Sequence, residues 1–477
     1  MASPVEAFIR GAITKGIVKV AAFNQKRMPE NQEPHPFMVG IHAPVNTEQS
    51  LRNLAVTGSI PLELNGRYIR IGPNPITAPK AASHHWFLGD GMVHGVRLEN
   101  GKALWYKNRW IRSTAVSTAL GEAPAPGPRL RSDTVNTNVI GHANKIWACV
   151  EAGGFPVELS NDLDTVAHNP FDGTLQGSFS AHTHRDTLTG ELHSICYNAA
   201  NDSEIRHVVV NAAGKVTREE RIPVKNGPSI HDCMITKNYV IILDLPVTFS
   251  MKALVAGFGF PYKWNPEHPA RVGLLPRNGS SADIVWCPVA PCYAFHPSNA
   301  FENDDGTVTL DLVTHATMFA ESTQGPDSRD VAFERWTIDP SQHSVARKTI
   351  NSDAQEFPRA NENYTGQPYR YAYTVALKID KDNQFTASQY VYKYDLQTGT
   401  RSHYDFGSTQ YPSEFVFVPK PHSSAEDDGW LMGYVVNLQT QASELVILNA
   451  GDLSHQASVQ IPSRIPSGFH GNWIAQT

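Results

Sequence analysis

Nowhere in this 477-residue chain do about 18 apolar residues run together, so the sequence offers no membrane-spanning helix. A basic surplus is missing too. Lysine and arginine number 40 against 46 acidic residues, a net charge of −6, which excludes a general nucleic-acid binder. Cysteine is scarce: Cys149, Cys196, Cys233, Cys287 and Cys292 are odd in number and form no C-x-x-C pair. That argues against a disulfide framework and against a zinc–thiolate site, and makes a reducing cytoplasm the expected compartment. No repeat signature of the WD or kelch kind is present. The 34 glycines and 33 prolines are scattered rather than gathered, so no linker divides the chain after residue 55.

What is present is globular: 41% hydrophobic and 18% charged residues. Length alone would allow about three domains, but closed β architectures run long as single units. Val5, Phe8, Ile9, Ala12, Ile13, Ile17, Val20 and Ala21 recur at helical spacing and predict a short N-terminal helix over residues 5–21. Charges interrupt its apolar run and no small-residue cleavage site follows, unlike a signal peptide. Such a helix either packs on the main domain or lies on a membrane surface. Residues 24–47, rich in proline and polar groups, read as a connecting arm. The expected division is 1–47, helix and arm, and 48–477, one catalytic domain.

From about residue 55 the chain reads as short strands and turns. Met92–Leu98 and Ala103–Arg109 flank Asn100-Gly101, a hairpin pattern. His207–Val210 before Gly214, Val391–Tyr394 before Thr398-Gly399, Tyr239–Leu245, Val308–Thr314 and Trp430–Leu438 are further strand candidates. Short strands at steady spacing predict an all-β propeller or barrel, and diverged blades would leave no repeat signature. One stretch, Phe249 to Phe260, is apolar, punctuated by glycine, and fits neither helix nor strand. It is either a buried excursion over the core or an apolar patch that dips into a membrane.

Four histidines sit in particular contexts: His182 in Phe179-Ser-Ala-His-Thr-His184, His231 in Pro228-Ser-Ile-His-Asp-Cys233, His296 in Tyr293-Ala-Phe-His-Pro297, and His470 in Ser467-Gly-Phe-His-Gly471. Separations of 49, 65 and 174 residues cannot form one local motif. They fit ligands brought from separate blades to a central axis. Imidazole suits iron, zinc, copper and nickel. A packed core histidine is the commoner role, and the residues alone leave both readings open. Ligand histidines usually give their second ring N–H to a carboxylate or carbonyl. Glu151, Glu356 and Glu414 lie in apolar surroundings, where an unpaired glutamate is rarely buried. A solvated acid at a strand end is the competing reading.

These contexts, together with Asn65-Gly-Arg-Tyr68, Gly72-Pro-Asn-Pro75, His85-Trp-Phe87, Gly89-Asp-Gly-Met-Val-His94 and Asn108-Arg-Trp-Ile-Arg112, resemble the carotenoid cleavage oxygenases from about residue 40 to the end. The resemblance implies a seven-bladed β-propeller with Fe(II) on the central axis and a loop dome over one face. By matching position it makes His182, His231, His296 and His470 the iron ligands, with Glu151, Glu356 and Glu414 holding three of them. His184 is the near decoy, since the family takes the first histidine of that pair. Thr137 matches a position near the open coordination site, and Trp110 one that lines the substrate tunnel. The implied reaction is scission of an alkene by O2 into two carbonyl fragments, with no organic cofactor.

The stilbene-cleaving branch of this family typically carries a lysine just before the first of the glutamates, where it engages a phenol oxygen. Here that position is Val150. An apolar residue suits a long hydrocarbon, and 249–260 resembles the membrane-dipping patch of the carotenoid-cleaving branch. The expected substrate is therefore a small hydrophobic carotenoid or apocarotenal, cut centrally at its 15,15′ bond to retinal-like products. A stilbene or phenylpropenoid dioxygenase of the lignostilbene or isoeugenol type is the alternative, and a non-cleaving retinoid isomerase or carotenoid-binding relative a further one.

Overall fold

The computed structural model describes residues 4–29, 34–199, 201–379 and 385–476. Seven twisted antiparallel sheets make the seven blades of a β-propeller. Five are simple four-stranded meanders, each opened by a short strand: Asn138–His142 in blade II, His184–Arg185 in blade III, Cys233–Ile235 in blade IV, Pro297–Glu302 in blade V and Gln355–Arg359 in blade VI. The middle strands are sandwiched between neighbouring blades, so both of their faces are apolar. Val240, Ile241, Ile242 and Leu243 are buried in succession in blade IV, as is all of Val308–Thr314 in blade V. Strands at the rim lose that cover, and Ser344–Asn351 carries no buried residue.

Blades I and VII are built from both ends of the chain. In blade I, Gln49–Leu51 pairs with Lys102–Trp110 at one edge, and Gly471–Ala475 pairs with Gly66–Pro73 at the other. In blade VII, Val56–Gly58 pairs with His455–Ile461. The ring is therefore closed twice. The last strand reaches its place through a close crossing: a Cβ on Gly72 would lie 2.5 Å from the Cα of Gly468. Only two glycines let the backbones approach this closely.

The predicted helix over 5–21 forms and continues, as Pro4–Arg27. The segment 249–260 is more regular than its sequence suggests. Ser250 caps a helix, Met251–Ala256, by accepting the N–H of Ala253, and Gly257 ends it at a φ of 97°. Val247–Phe249 and Tyr262–Trp264 pair on either side of it. The N-terminal helix lies against this excursion, with Asn24 donating to the carbonyl of Val255 at 2.7 Å. Among the described residues no helix is long and apolar enough to cross a membrane.

Deleting residues 471–477 should open blade I while leaving His470 in the chain. Five paired residues are lost, roughly 3–5 kcal/mol of net hydrogen bonding. The expected result is a markedly lower midpoint in a circular-dichroism melt. An unchanged midpoint would show that this pairing does not hold the ring shut.

Candidate metal centre

Each of the four histidines lies one or two residues ahead of the first strand of its blade, or, for His470, ahead of the closing strand of blade I. Those strands converge on the axis, so four residues distant in sequence meet there. All four are buried, and one ligand atom from each falls within 4.8 Å of the other three. Nε2 of His231 is 3.2 Å from Nε2 of His296. That is close to the ~3 Å expected between neighbouring nitrogens each about 2.1 Å from one cation. Nε2 of His182 is buried without a protein partner. Four imidazoles turned inward in this way fit a first-row divalent metal ion.

The outer nitrogens face carboxylates. Nδ1 of His296 donates to Glu356 at 2.7 Å, and Nδ1 of His470 to Glu414 at 3.0 Å. Nδ1 of His231 lies 2.9 Å from Glu151. The three glutamates come from blades VI, VII and II, so every blade sends one of these seven side chains to the centre. Glu356 also accepts from His315 at 2.9 Å, and Glu414 from the Gly471 amide at 2.9 Å. Tyr197 donates to Glu151.

Burial pushes these carboxyls upward, but the imidazoles outweigh it. Glu356 is held well below the usual carboxylate range, and Glu414, with Arg359 also beside it, is held at about 2. With Glu356 and Glu414 as acceptors, the hydrogen bonds from His296 and His470 place the ring proton on Nδ1 and leave Nε2 its lone pair. Burial in turn lowers the pKa of His182 to about 4 and also lowers those of His296 and His470. For His231 burial acts the same way, but Glu151 outweighs it and the net shift is upward.

The two sides of the cage differ. On one side stand aromatic rings. Phe295 lies edge-on to His231 with centroids 4.8 Å apart, and Phe357 stacks on His296 at 5.4 Å. Phe87, Phe260 and Phe319 continue this wall. On the other side a cavity of about 640 Å³ is lined by Arg67, Arg185, Arg359, Asn299, Asn472 and other polar groups.

The remaining sequence-selected residues divide. Thr137 is at the centre: its carbonyl accepts the His470 amide at 3.1 Å, and its hydroxyl donates to Asn136 at 2.9 Å. Val150 adjoins Glu151 and packs on the apolar core between blades I and II. Trp110 is not brought to the imidazoles. It packs with Met92 and Val116, and its ring N–H donates to the Asn74 carbonyl at 2.8 Å. His184 is close by but bonds to Asp232 at 2.8 Å. His184, Asp232 and Cys233 also cluster, and burial pushes the Cys233 thiol well above its ordinary range. Sequence reasoning passed over Asp232 and Phe357, although both adjoin selected residues.

Comparison with known proteins agrees with this architecture. The sequence model described as retinal pigment epithelial membrane protein matches residues 42–475. The carotenoid cleavage oxygenase of Mycobacterium tuberculosis is 40% identical over 94% of this chain and 99% of its own length. Cobalt-substituted Synechocystis apocarotenoid oxygenase superposes with a TM-score of 0.81 at 27% identity, covering 91% of this chain and 97% of that one. The lignostilbene dioxygenase of Pseudomonas brassicacearum shares the fold, with a TM-score of 0.82 at 24% identity over 94% of this chain and all of that one. A match of this extent, on a propeller with four histidines at its axis, makes the chain a member of the carotenoid cleavage oxygenase family.

Proposed function

We propose that this chain is an Fe(II) dioxygenase that splits one C=C bond of a carotenoid or apocarotenal into two carbonyl fragments, one oxygen atom of O2 entering each. The observation that carries the reading is the cage of four buried imidazoles with carboxylates behind it and an aromatic wall in front. His182, His231, His296 and His470 would hold the iron, and Glu151, Glu356 and Glu414 would fix three of those rings. Iron(II) in such a site supplies the activation of dioxygen. The chain would supply position: the rings of Phe295, Phe319 and Phe87, the first two buried in this structure, would offer a polyene a surface without hydrogen-bonding demands, and register along that surface would select the bond cut. Thr137, tied to the His470 backbone, would border the open side of the iron. The central 15,15′ bond is the proposed point of scission.

Two features favour the hydrocarbon over a phenol. Val150 brings no charge to the position before Glu151, and the side chains of the wall, Phe87, Phe260, Phe295 and Phe319, are themselves uncharged. A peripheral membrane contact would suit so insoluble a substrate. The N-terminal helix and the excursion it packs on expose Val20, Phe23 and Met251. A cytoplasmic location is consistent with five free, buried cysteines.

His296→Ala should lower iron from about one per chain to near none and abolish turnover, with the far-ultraviolet spectrum kept. A folded variant with full iron and full turnover would remove His296 from the ligand set. Initial rates should be higher on an apocarotenal than on a hydroxystilbene, and both aldehyde products should carry label from ¹⁸O2. Retinal-sized products support central scission. A stilbene preference would reverse the substrate assignment, and an isomer formed without oxygen uptake would overturn cleavage itself. Charge placed on the helix face, as Phe23→Glu with Met251→Glu, should reduce co-sedimentation with liposomes, and equal sedimentation would refute the membrane contact.

A further inference from the structure

Three of the four imidazoles have a glutamate behind them, and the family-based assignment leaves His182 with none. The structure provides one of a different kind. Asp232, the residue after His231, is buried between His182 and His184. Its Oδ1 accepts the Cys233 amide at 2.6 Å and Nε2–H of His184 at 2.8 Å. Its Oδ2 is turned to Nδ1 of His182, 3.4 Å away. We infer that Asp232 is the fourth positioning carboxylate of the centre, and that His184 acts through it to hold the His182 ring. The inference rests on the metal-site reading above.

The argument is one of proton placement. Nε2 of His182 faces the other imidazoles and has no protein partner. For that nitrogen to carry a lone pair, the ring proton must sit on Nδ1, and Asp232 is the acceptor in front of it. The carboxylate could rotate away if it were held only by His182. Two donors on Oδ1, one of them a backbone amide, prevent this.

His184 is itself anchored. The short strand His184–Arg185 pairs with Leu192 and His193, and the ring lines the polar cavity. A two-residue spacing in extended chain puts His182 and His184 on one side, which is why a single carboxylate can serve both. Asp232 thereby ties blade III to blade IV at the depth of the metal centre. The histidine that resembles a decoy becomes the outer member of a three-residue relay.

Cobalt(II) is the probe, titrated into metal-free protein and followed by equilibrium dialysis and visible absorption. The unvaried chain should bind one ion. Asp232→Asn should bind it about 10–100-fold more weakly, with a shifted band, because one end of the amide now presents N–H to a ring that needs an acceptor. His184→Gln keeps a donor toward Asp232 and should stay near the original affinity. His184→Leu removes the donor and should weaken binding by at least about threefold. Folded Asp232→Asn with unchanged affinity and spectrum would overturn the inference while leaving the metal centre intact. Should Asp232→Asn not fold, the His184 pair decides, and equal affinities of Gln and Leu would overturn it. No cobalt bound by the unvaried chain would overturn the inference and the metal-site reading together.

Discussion

The pairing of Gly66–Arg70 with Gly471–Ala475 does two things at once. It closes the ring of blades, and it sets the residue before the last strand on the axis. A propeller whose final strand came loose would lose an edge and a quarter of its histidine cage in one event. The local details serve this delivery. The His470 amide bonds to the Thr137 carbonyl in blade II, the Gly471 amide to Glu414 of blade VII, and the Ile71 amide of blade I to the His470 carbonyl. The last histidine is thus held by three blades before any metal is considered. Gly72 and Gly468 permit the crossing that brings it there.

The same economy runs around the ring. Blades I, III, IV and V each send a histidine to the centre, while blades II, VI and VII each send a glutamate. Charge is thereby spread so that no two of these glutamates need share an imidazole. A buried carboxylate is costly unless paired and hydrogen-bonded. Each of the three glutamates meets that condition with at least two partners: His231 and Tyr197, His296 and His315, His470 and Gly471. The propeller supplies what no single loop could, seven independent approaches to one point, each fixed by its own sheet.

Much of this is legible in the sequence because it is carried by unusual local contexts. A histidine between glycines near a chain end, or a glutamate opening an aromatic strand, demands a reason. The contexts that escaped are ordinary ones. Asp232 beside a histidine reads as a polar residue at a strand end, and only the fold shows that it reaches back to His182. His184 is misleading because two-residue spacing places both rings on one side without saying which faces the centre. The Met251–Ala256 helix is too short for periodicity to register, so its Ser250 and Gly257 caps, rather than its apolar pattern, were the readable signal. Trp110 was selected by matching position alone. Its ring N–H is tied to the Asn74 carbonyl, and it packs with Met92 and Val116.

Phe357 shows how the metal centre and its apolar wall constrain each other. It has a φ of 54°, a conformation that an aromatic residue adopts at a cost of about 1–3 kcal/mol. It also sits at an irregularity in pairing, between Glu356 and Arg359. The strain is compensated on both sides. Its amide donates to Oε2 of Glu356 at 2.6 Å, the oxygen that also takes Nδ1–H of His296. Its ring then lies flat on His296 and edge-on to His470. At this departure from regular strand, Glu356 orients His296 from behind and the neighbouring Phe357 faces it with an apolar ring. The polar cage and the aromatic side of the centre thus meet at Phe357, whose amide serves the first and whose ring belongs to the second.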